Sequence, residues 1–371
     1  MSTAAPPISI IVPQDAPAEM RALWEIYSIL LNEHADRAKL DPKELSEGAI
    51  QGLLKTLNDP HTSYIPPEDY QLEQEDIRGT FEGIGAEVTM RGGRLIISPL
   101  PEGPAEQAGL KAGDAILEVN SEPTEGWSIR QAVLKIRGPK GSKVHLKVLH
   151  LGAAEPVEVD IVRDTIPLKS VFWNMMKDNI AYLRIRIFYG NTDDAVRQAL
   201  REIRAKGASG IVLDLRDNPG GLLETTVNVT SEFIREGVVL SEVDGKGQQK
   251  EWRVRGGGLA VNLPLVVLVN SFSASGSEVL AGALQDYGRA RLVGVKTFGK
   301  GSVNLFRRLS NGGGLYYSTA YWYTPNGRLI HQTGLEPDVE VKAIPGEQGD
   351  TQLVRAVEVL KKEMGITAVV P

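Results

Sequence analysis

Two short runs constrain this chain more than anything else in it. Gly210–Leu215 and Pro264–Val269 are almost entirely apolar and too short to be helices in their own right. Runs of this kind suit strands buried on both faces, which means a sheet with helices on either side. Their surroundings agree. Ile180–Ile187 and Arg291–Val295 read as further strands, and Asp193–Lys206 is helical, with Val196, Leu200 and Ile203 on one face. Ser277–Ala290 reads as the helix that follows the second run. The C-terminal half is therefore expected to be an α/β layer.

The preceding regions have different textures. Residues 1–18 read as a Pro/Ala-rich tail. From 19 to 78 the pattern is helical: Met20, Leu23, Trp24, Tyr27, Leu30 and Leu31 recur at helical spacing. Asp41-Pro42 sets the cap and first turn of a second helix through Leu57, which Asn58-Asp59-Pro60 stops. Over 79–165 short strands alternate with glycine turns. Ala86–Met90 and Leu95–Ser98 flank Arg91-Gly92-Gly93, a hairpin signal. Pro104–Gly109 reads as one short helix, Ser128–Ile136 as an amphipathic one, and Ala115–Val119 and Val144–Leu149 as strands. The α/β core is expected over 166–345. A C-terminal segment, 346–371, carries an amphipathic helix at Thr351–Glu363.

Composition excludes several classes of function. The 371 residues carry 41 basic and 47 acidic side chains, a formal charge of −6, so no electrostatic case exists for nucleic acid. There is no cysteine, hence no disulfide, thiol nucleophile or thiolate metal site. No HExxH, paired-histidine or EF-hand spacing occurs, so neither metal nor other cofactor is expected. No apolar run is long enough to span a membrane. The start has no basic, apolar leader, which fits a cytoplasmic protein or one whose signal segment lies outside this sequence.

Three stretches are built for chemistry, each at the end of an expected strand, where open α/β sheets place their sites. They are Asp214-Leu215-Arg216-Asp217-Asn218-Pro219-Gly220-Gly221, Asn270-Ser271-Phe272-Ser273-Ala274-Ser275-Gly276-Ser277-Glu278 and Thr297-Phe298-Gly299-Lys300-Gly301-Ser302-Val303-Asn304. A serine at a strand-to-helix turn presents its hydroxyl beside unpaired helix N-terminal N–H groups, a ready oxyanion hole. It still needs a base. None of His34, His61, His145, His150 and His331 lies in a comparable loop, whereas Lys300 is flanked by glycines and has no carboxylate among its sequence neighbours. A lysine must lose its proton to act as base, and burial lowers its pKa by up to about 3–5 units. Each stretch also has a plainer reading: Ser275-Gly276-Ser277-Glu278 is a capping box, and Asn218-Pro219-Gly220-Gly221 a turn. Gly294-x₄-Gly299-Lys300 resembles a phosphate-binding loop but lacks the following Ser/Thr and the helix.

Taken together, the stretches resemble the C-terminal processing (tail-specific) peptidase family from about residue 20 to 360. Further pieces occur in family order: Asp59-Pro60-His61-Thr62-Ser63-Tyr64, Phe81-Glu82-Gly83-Ile84-Gly85-Ala86, Ala281-Gly282-Ala283-Leu284-Gln285-Asp286 and Tyr323-Thr324-Pro325-Asn326-Gly327-Arg328. The resemblance implies a crotonase/ClpP-like α/β protease core with an inserted PDZ domain and a helical N-terminal region that dimerises. It implies a Ser–Lys dyad, with Ser275 as nucleophile and Lys300 as general base. The oxyanion donors would be the N–H groups of Gly276 and of Gly220 or Gly221. Asn304 stands where the family usually has a glutamine that orients the lysine, and Gly276 where it more often has alanine. The expected activity is endoproteolysis near the C-termini of captured polypeptides; the alternatives are a PDZ scaffold on an inactive core and acyl transfer on cell-wall peptides. Relatives are mostly exported, which implies a periplasmic or cell-envelope location.

Residues 79–165 resemble a permuted bacterial PDZ domain. Gly83-Ile84-Gly85 offers closely spaced N–H groups for a terminal carboxylate, and the strand from Ala86 can pair with an extended peptide. Helix 128–136 supplies the other wall, with Val133 expected in the pocket. Arg137 matches a family arginine that couples peptide docking to the active site; its plainer reading is a cation at a helix C-terminus.

Overall fold

The computed structural model describes residues 17–67, 69–70, 79–342 and 349–366. The tail expected over 1–18 lies outside them as far as residue 16. The chain forms two compact units, residues 1–70 with 304–318, and residues 71–303 with 319–371.

In the first unit, α1 (Ala18–Glu33) and α2 (Pro42–Lys55) are joined by a short turn. Asp41 caps α2 by accepting the Lys43 N–H at 2.7 Å, with Pro42 in the first turn. The helix ends before Leu57 because Thr56 tightens the last turn onto Leu53 O and Asn58 takes a φ of +51°. Strand β1 (Ser63–Ile65) follows.

The second unit begins with the region expected to be a PDZ domain. Strand β2 (Thr80–Gly83) opens it. Then come β3 (Ala86–Arg91), β4 (Arg94–Pro99), short helix α3 (Pro104–Gln107), β5 (Asp114–Val119), β6 (Glu122–Pro123), α4 (Ile129–Ile136), β7 (Lys143–Leu149), β8 (Val157–Val162) and β9 (Asp164–Pro167). The β3–β4 hairpin turns on Gly92 and Gly93, both at positive φ. The antiparallel sheet runs β3-β4-β5-β7-β8, which leaves β3 at one edge, and β2 pairs separately with β9. Leu95, Ile97, Val119, Ala132, Val144, Leu146 and Val148 fill the core of this region.

The remainder is the α/β layer. Its elements are β10 (Val171–Met175), β11 (Ile180–Ile185), α5 (Thr192–Ala205), β12 (Gly210–Asp214), α6 (Leu223–Ser231), β13 (Val238–Asp244), β14 (Gln249–Arg253), β15 (Leu265–Val269), α7 (Gly276–Asp286), β16 (Arg291–Gly294), β17 (Ser302–Arg308), β18 (Gly314–Tyr323), β19 (Val339–Glu340) and α8 (Thr351–Glu363). The main sheet runs β10-β11-β12-β15-β16-β19, parallel except for β10. The apolar runs behave as their composition requires. Ile211, Leu213, Val267 and Val269 face the helices α5, α6 and α7, while Val212, Val266 and Leu268 face Ala356, Val359 and Leu360 of α8.

Strands β17 and β18 pass through both units. The second half of β18 pairs with β13, which also pairs with β14. In the first unit Ser63, Tyr64 and Ile65 pair with Tyr316, Leu315 and Gly314 of β18.

Candidate active site

The three loops at the C-terminal ends of β12, β15 and β16 converge, and hydrogen bonds tie them together. The Ala274 N–H donates to Asn218 O at 2.9 Å, and the Phe298 N–H to Ser273 O at 3.1 Å. The serines beside the candidate nucleophile are structural. Ser273 Oγ donates to Leu215 O at 2.8 Å, and Ser277 Oγ to Asn218 O at 2.6 Å.

Ser275 occupies the turn from β15 into α7, and helix α7 starts one residue earlier than the sequence pattern suggested. Its φ is +57° and ψ −119°. A non-glycine residue held there costs on the order of 1–3 kcal/mol, and such strain gathers at functional turns. The next residue, Gly276, is buried, and its N–H has no acceptor among the described residues.

The capping partner of this helix does more than cap. Glu278 is fully buried, and its carboxylate accepts four donors. Oε1 takes the Thr297 hydroxyl at 2.6 Å and the Gly299 N–H at 2.7 Å. Oε2 takes the backbone N–H of Ser275 and that of Lys300, each at 2.9 Å. One carboxylate oxygen therefore spans the backbones of the candidate nucleophile and base. Burial pushes the Glu278 carboxyl above its ordinary range, against the four donors, which pull it down. The sequence neighbours of Lys300 hold no carboxylate, but the fold supplies this one, an effect the spacing could not show.

The Lys300 loop is shaped by its glycines. Gly299 has a φ of +90°, and a Cβ on Gly301 would sit 2.2 Å from the backbone nitrogen of His331. Gly299 O accepts the Gln332 N–H, and Gly301 O the Trp322 N–H. His331 thus lies against this loop although nothing in the sequence connects them, and its ring packs 4.6 Å from that of Tyr321. Lys300 itself is half-buried.

The choice left open between Gly220 and Gly221 narrows. The Gly220 N–H is spent on Asn218 Oδ1 at 2.8 Å. The Gly221 N–H has no acceptor among the described residues, and Gly221 is exposed. Asn304 belongs to the first unit, where its Nδ2 donates to His61 O at 3.0 Å and to Ser318 Oγ at 3.1 Å. Ser318 Oγ in turn donates to Asp59 Oδ2 at 2.7 Å. Burial pushes the Asp59 carboxyl up, but the bonds from Thr62, Ser318 and His61 outweigh it and hold the group below its usual range.

A second network backs the β12 loop. Arg216 donates to the buried Asp214 and to Asp350 at the start of α8, and the Tyr182 hydroxyl donates to Asp214 at 2.7 Å. Burial and the neighbouring Asp214 charge push the Tyr182 phenol up to about 12.

In the β3 region, Ile84 and Gly85 link β2 to β3, Gly85 with a φ of +67°. Their carbonyls are used: Ile84 O accepts the Ala105 N–H at 2.8 Å and Gly85 O the Leu100 N–H at 2.9 Å. Their N–H groups have no acceptor among the described residues. Ala86 starts the edge strand and is half-buried, as is Val133 on α4. Arg137 ends α4, its N–H on Val133 O, and its guanidinium lies 4.5 Å from the centre of the Phe81 ring. A Cβ on Gly83 would meet that ring at 3.2 Å and Arg137 Cγ at 3.6 Å. Arg163, which the sequence did not single out, is buried and donates to Lys135 O, Ile136 O and Lys143 O. It closes the C-terminus of α4.

Comparison with known proteins shows the family. Residues 179–341 match the model of peptidase family S41, residues 74–149 the PDZ domain, and residues 11–69 the N-terminal domain of the activating protease CtpB. The carboxy-terminal processing protease CtpA of Bacillus subtilis is 37% identical over 82% of this chain, and the chain spans 65% of its length. For CtpB of the same organism the figures are 36%, 92% and 71%. Among solved structures, a photosystem II D1 C-terminal processing protease aligns with a TM-score of 0.54 at 30% identity, covering 95% of this chain and 92% of its own. The chain belongs to the carboxy-terminal processing proteases of peptidase family S41 and carries their PDZ domain.

Proposed function

We propose that this chain is a serine endopeptidase that captures polypeptides by their C-terminal tails and cuts them with a Ser275–Lys300 dyad. One observation carries the reading: the Glu278 carboxylate fixes the backbone of a strained serine and of a half-buried lysine through the same oxygen. In this scheme neutral Lys300 accepts the Ser275 hydroxyl proton as Oγ attacks the peptide carbonyl. The N–H groups of Gly276 and Gly221 hold the oxyanion. Collapse expels the amine, which takes the proton from Lys300 and leaves an acyl-enzyme. Water then attacks with Lys300 again as base. Asn304, four residues beyond Lys300, stands where the resemblance puts the orienting amide.

The tail enters along β3, an edge strand, with its carboxylate at the Ile84 and Gly85 N–H groups. Val133 and Ala86 flank the groove, and Arg137 signals its occupancy. The first unit supports a homodimer. Met20, Leu23, Trp24, Ile26 and Ile29 of α1 are exposed, and α2 buries none of its described residues. A location outside the cytoplasm rests on the family resemblance; among the described residues no helix is long and apolar enough to cross a membrane.

The test is degradation of casein by the wild type and by Ser275→Ala, Lys300→Ala and His331→Ala. Cleavage is expected from the wild type and His331→Ala alone. Cleavage surviving Lys300→Ala but lost in His331→Ala would move the base to the histidine. No cleavage by any of them, with a free apolar tail supplied, would favour a scaffold on an inactive core.

A further inference from the structure

We propose that Asn218 is a positioning residue for the oxyanion hole, a role that rests on the dyad reading above. Its amide turns one glycine N–H of the turn away from the site, so that the next one serves as donor. Asn218 is fully buried, and its polar atoms engage four elements of the active-site region. Oδ1 accepts the Gly220 N–H at 2.8 Å, and Nδ2 donates to Ile185 O at 2.9 Å. Its backbone oxygen accepts both the Ala274 N–H, from the residue before the nucleophile, and the Ser277 hydroxyl.

The turn has few donors to choose from. Pro219 has no N–H. Gly220 is pressed against the nucleophile: a Cβ on it would lie 2.6 Å from Ser275 Cβ. With its N–H locked on Asn218, the donor that remains is Gly221. That glycine cannot be replaced, because its φ is +142° and a Cβ would stand 2.2 Å from Phe188 O. Asn218 thus fixes which backbone dipole faces the developing charge, through one bond to the turn and one to the end of β11.

Both halves of the amide are required, one accepting and one donating. Alanine supplies neither. Aspartate keeps the acceptor for Gly220, but when ionised it has no proton for Ile185 O. Once protonated it restores both bonds.

The experiment is steady-state kinetics on a fluorogenic tailed peptide, with thermal melts, for wild type, Asn218→Ala, Asn218→Asp and Ser275→Ala. For Asn218→Ala, kcat is expected to fall about 100-fold with KM within about threefold, the cost of one misplaced oxyanion donor. For Asn218→Asp, kcat relative to wild type should rise as pH is lowered from about 9 to about 6, as the carboxyl, raised by up to about 3–5 units by full burial at this position, regains its proton. A purely structural role would lower the melting temperature and leave that ratio flat. The inference is overturned if folded Asn218→Ala keeps kcat within about threefold of wild type, or if the loss lies in KM alone. Should Asn218→Ala fail to melt cooperatively, a flat ratio for Asn218→Asp overturns it. Residual activity in Ser275→Ala would instead remove the dyad reading on which the inference stands.

Discussion

A Cβ atom placed on Gly276 would stand 2.5 Å from Oγ1 of Thr226, a separation that bonded neighbours alone can tolerate. Thr226 on α6 therefore leaves no room for a side chain at this position. Its hydroxyl is anchored to Leu222 O at 2.9 Å, so it has little room to retreat. Gly276→Ala is expected to destabilise the fold by about 1–3 kcal/mol, the usual cost of overpacking. It should also lower kcat, because the displaced backbone carries one of the proposed oxyanion donors. Adding Thr226→Ala should recover part of both losses, with a coupling of about 0.5–3 kcal/mol between the sites. Thermal melts of the two single variants and the double variant measure it; strict additivity would show that the contact is relieved elsewhere.

Glu278 offers a sharper test of how the Ser275 and Lys300 loops are held. Glutamine keeps the shape but turns an NH₂ toward two of the four donors. Each donor so orphaned costs about 1–3 kcal/mol. Glu278→Gln should therefore lose protease activity and labelling of Ser275 by a fluorophosphonate, while tail-peptide affinity at the PDZ domain stays unchanged. The pH dependence has a definite sign. Burial raises this carboxyl in the folded state, so its contribution to stability is full below the unfolded value, about 4.3, and is lost as pH rises through the folded one. The stability difference between wild type and Glu278→Gln should shift against the wild type across that window, as read by denaturant titrations at a series of pH values.

Tyr182 predicts behaviour at the alkaline end. Its phenol is held up to about 12 by burial and by Asp214, so the folded state keeps a proton that the unfolded chain gives up near 10. Its contribution to stability is complete below pH 10 and declines toward 12. The ultraviolet tyrosinate titration of wild type minus that of Tyr182→Phe should show one ionisation near 12. A difference spectrum centred near 10 would mean that the hydroxyl is not on Asp214 in solution.

The parts of the fold legible in the sequence were those where local pattern and tertiary environment agree. The two apolar runs could only be strands covered on both sides, and helix Thr351–Glu363 announced both ends. Helix α6 was illegible for a physical reason. Its Leu223-Glu224-Thr225-Thr226-Val227-Asn228-Val229-Thr230-Ser231 is rich in β-branched residues, whose stiff side chains favour strands. It is helical because its faces are buried, and Thr226, Thr230 and Ser231 satisfy their hydroxyls there on carbonyls four residues back. At the candidate site, the serine and lysine stood out by their glycine-flanked turns. The link between them did not, since Glu278 reads locally as a capping residue and acts at a distance of 22 positions along the chain. Arg163 was invisible for a similar reason: its partners are the Ser142 hydroxyl and three backbone carbonyls, and the carbonyls carry no sequence signal.

Arg137 joins the proposed tail-binding loop to helix α4, and the geometry says how a docked tail would be felt there. The guanidinium packs on Phe81 of β2, and a Cβ on Gly83 would press on both side chains. Gly83 immediately precedes Ile84 and Gly85, whose N–H groups are proposed to bind the carboxylate. A bound tail adds negative charge beside a cation already held by an aromatic face, a contact worth about 0.5–2 kcal/mol. Arg137→Ala is expected to abolish stimulation of casein cleavage by an added apolar tail peptide, while leaving Ser275 reactive toward the fluorophosphonate. Arg137→Lys keeps the charge but stacks less well on the ring, so it should retain part of the stimulation. Full stimulation in Arg137→Ala would show that occupancy reaches the active site by another route. The buried Arg163, which closes the same helix end onto Lys143 O, would then be the next residue to replace.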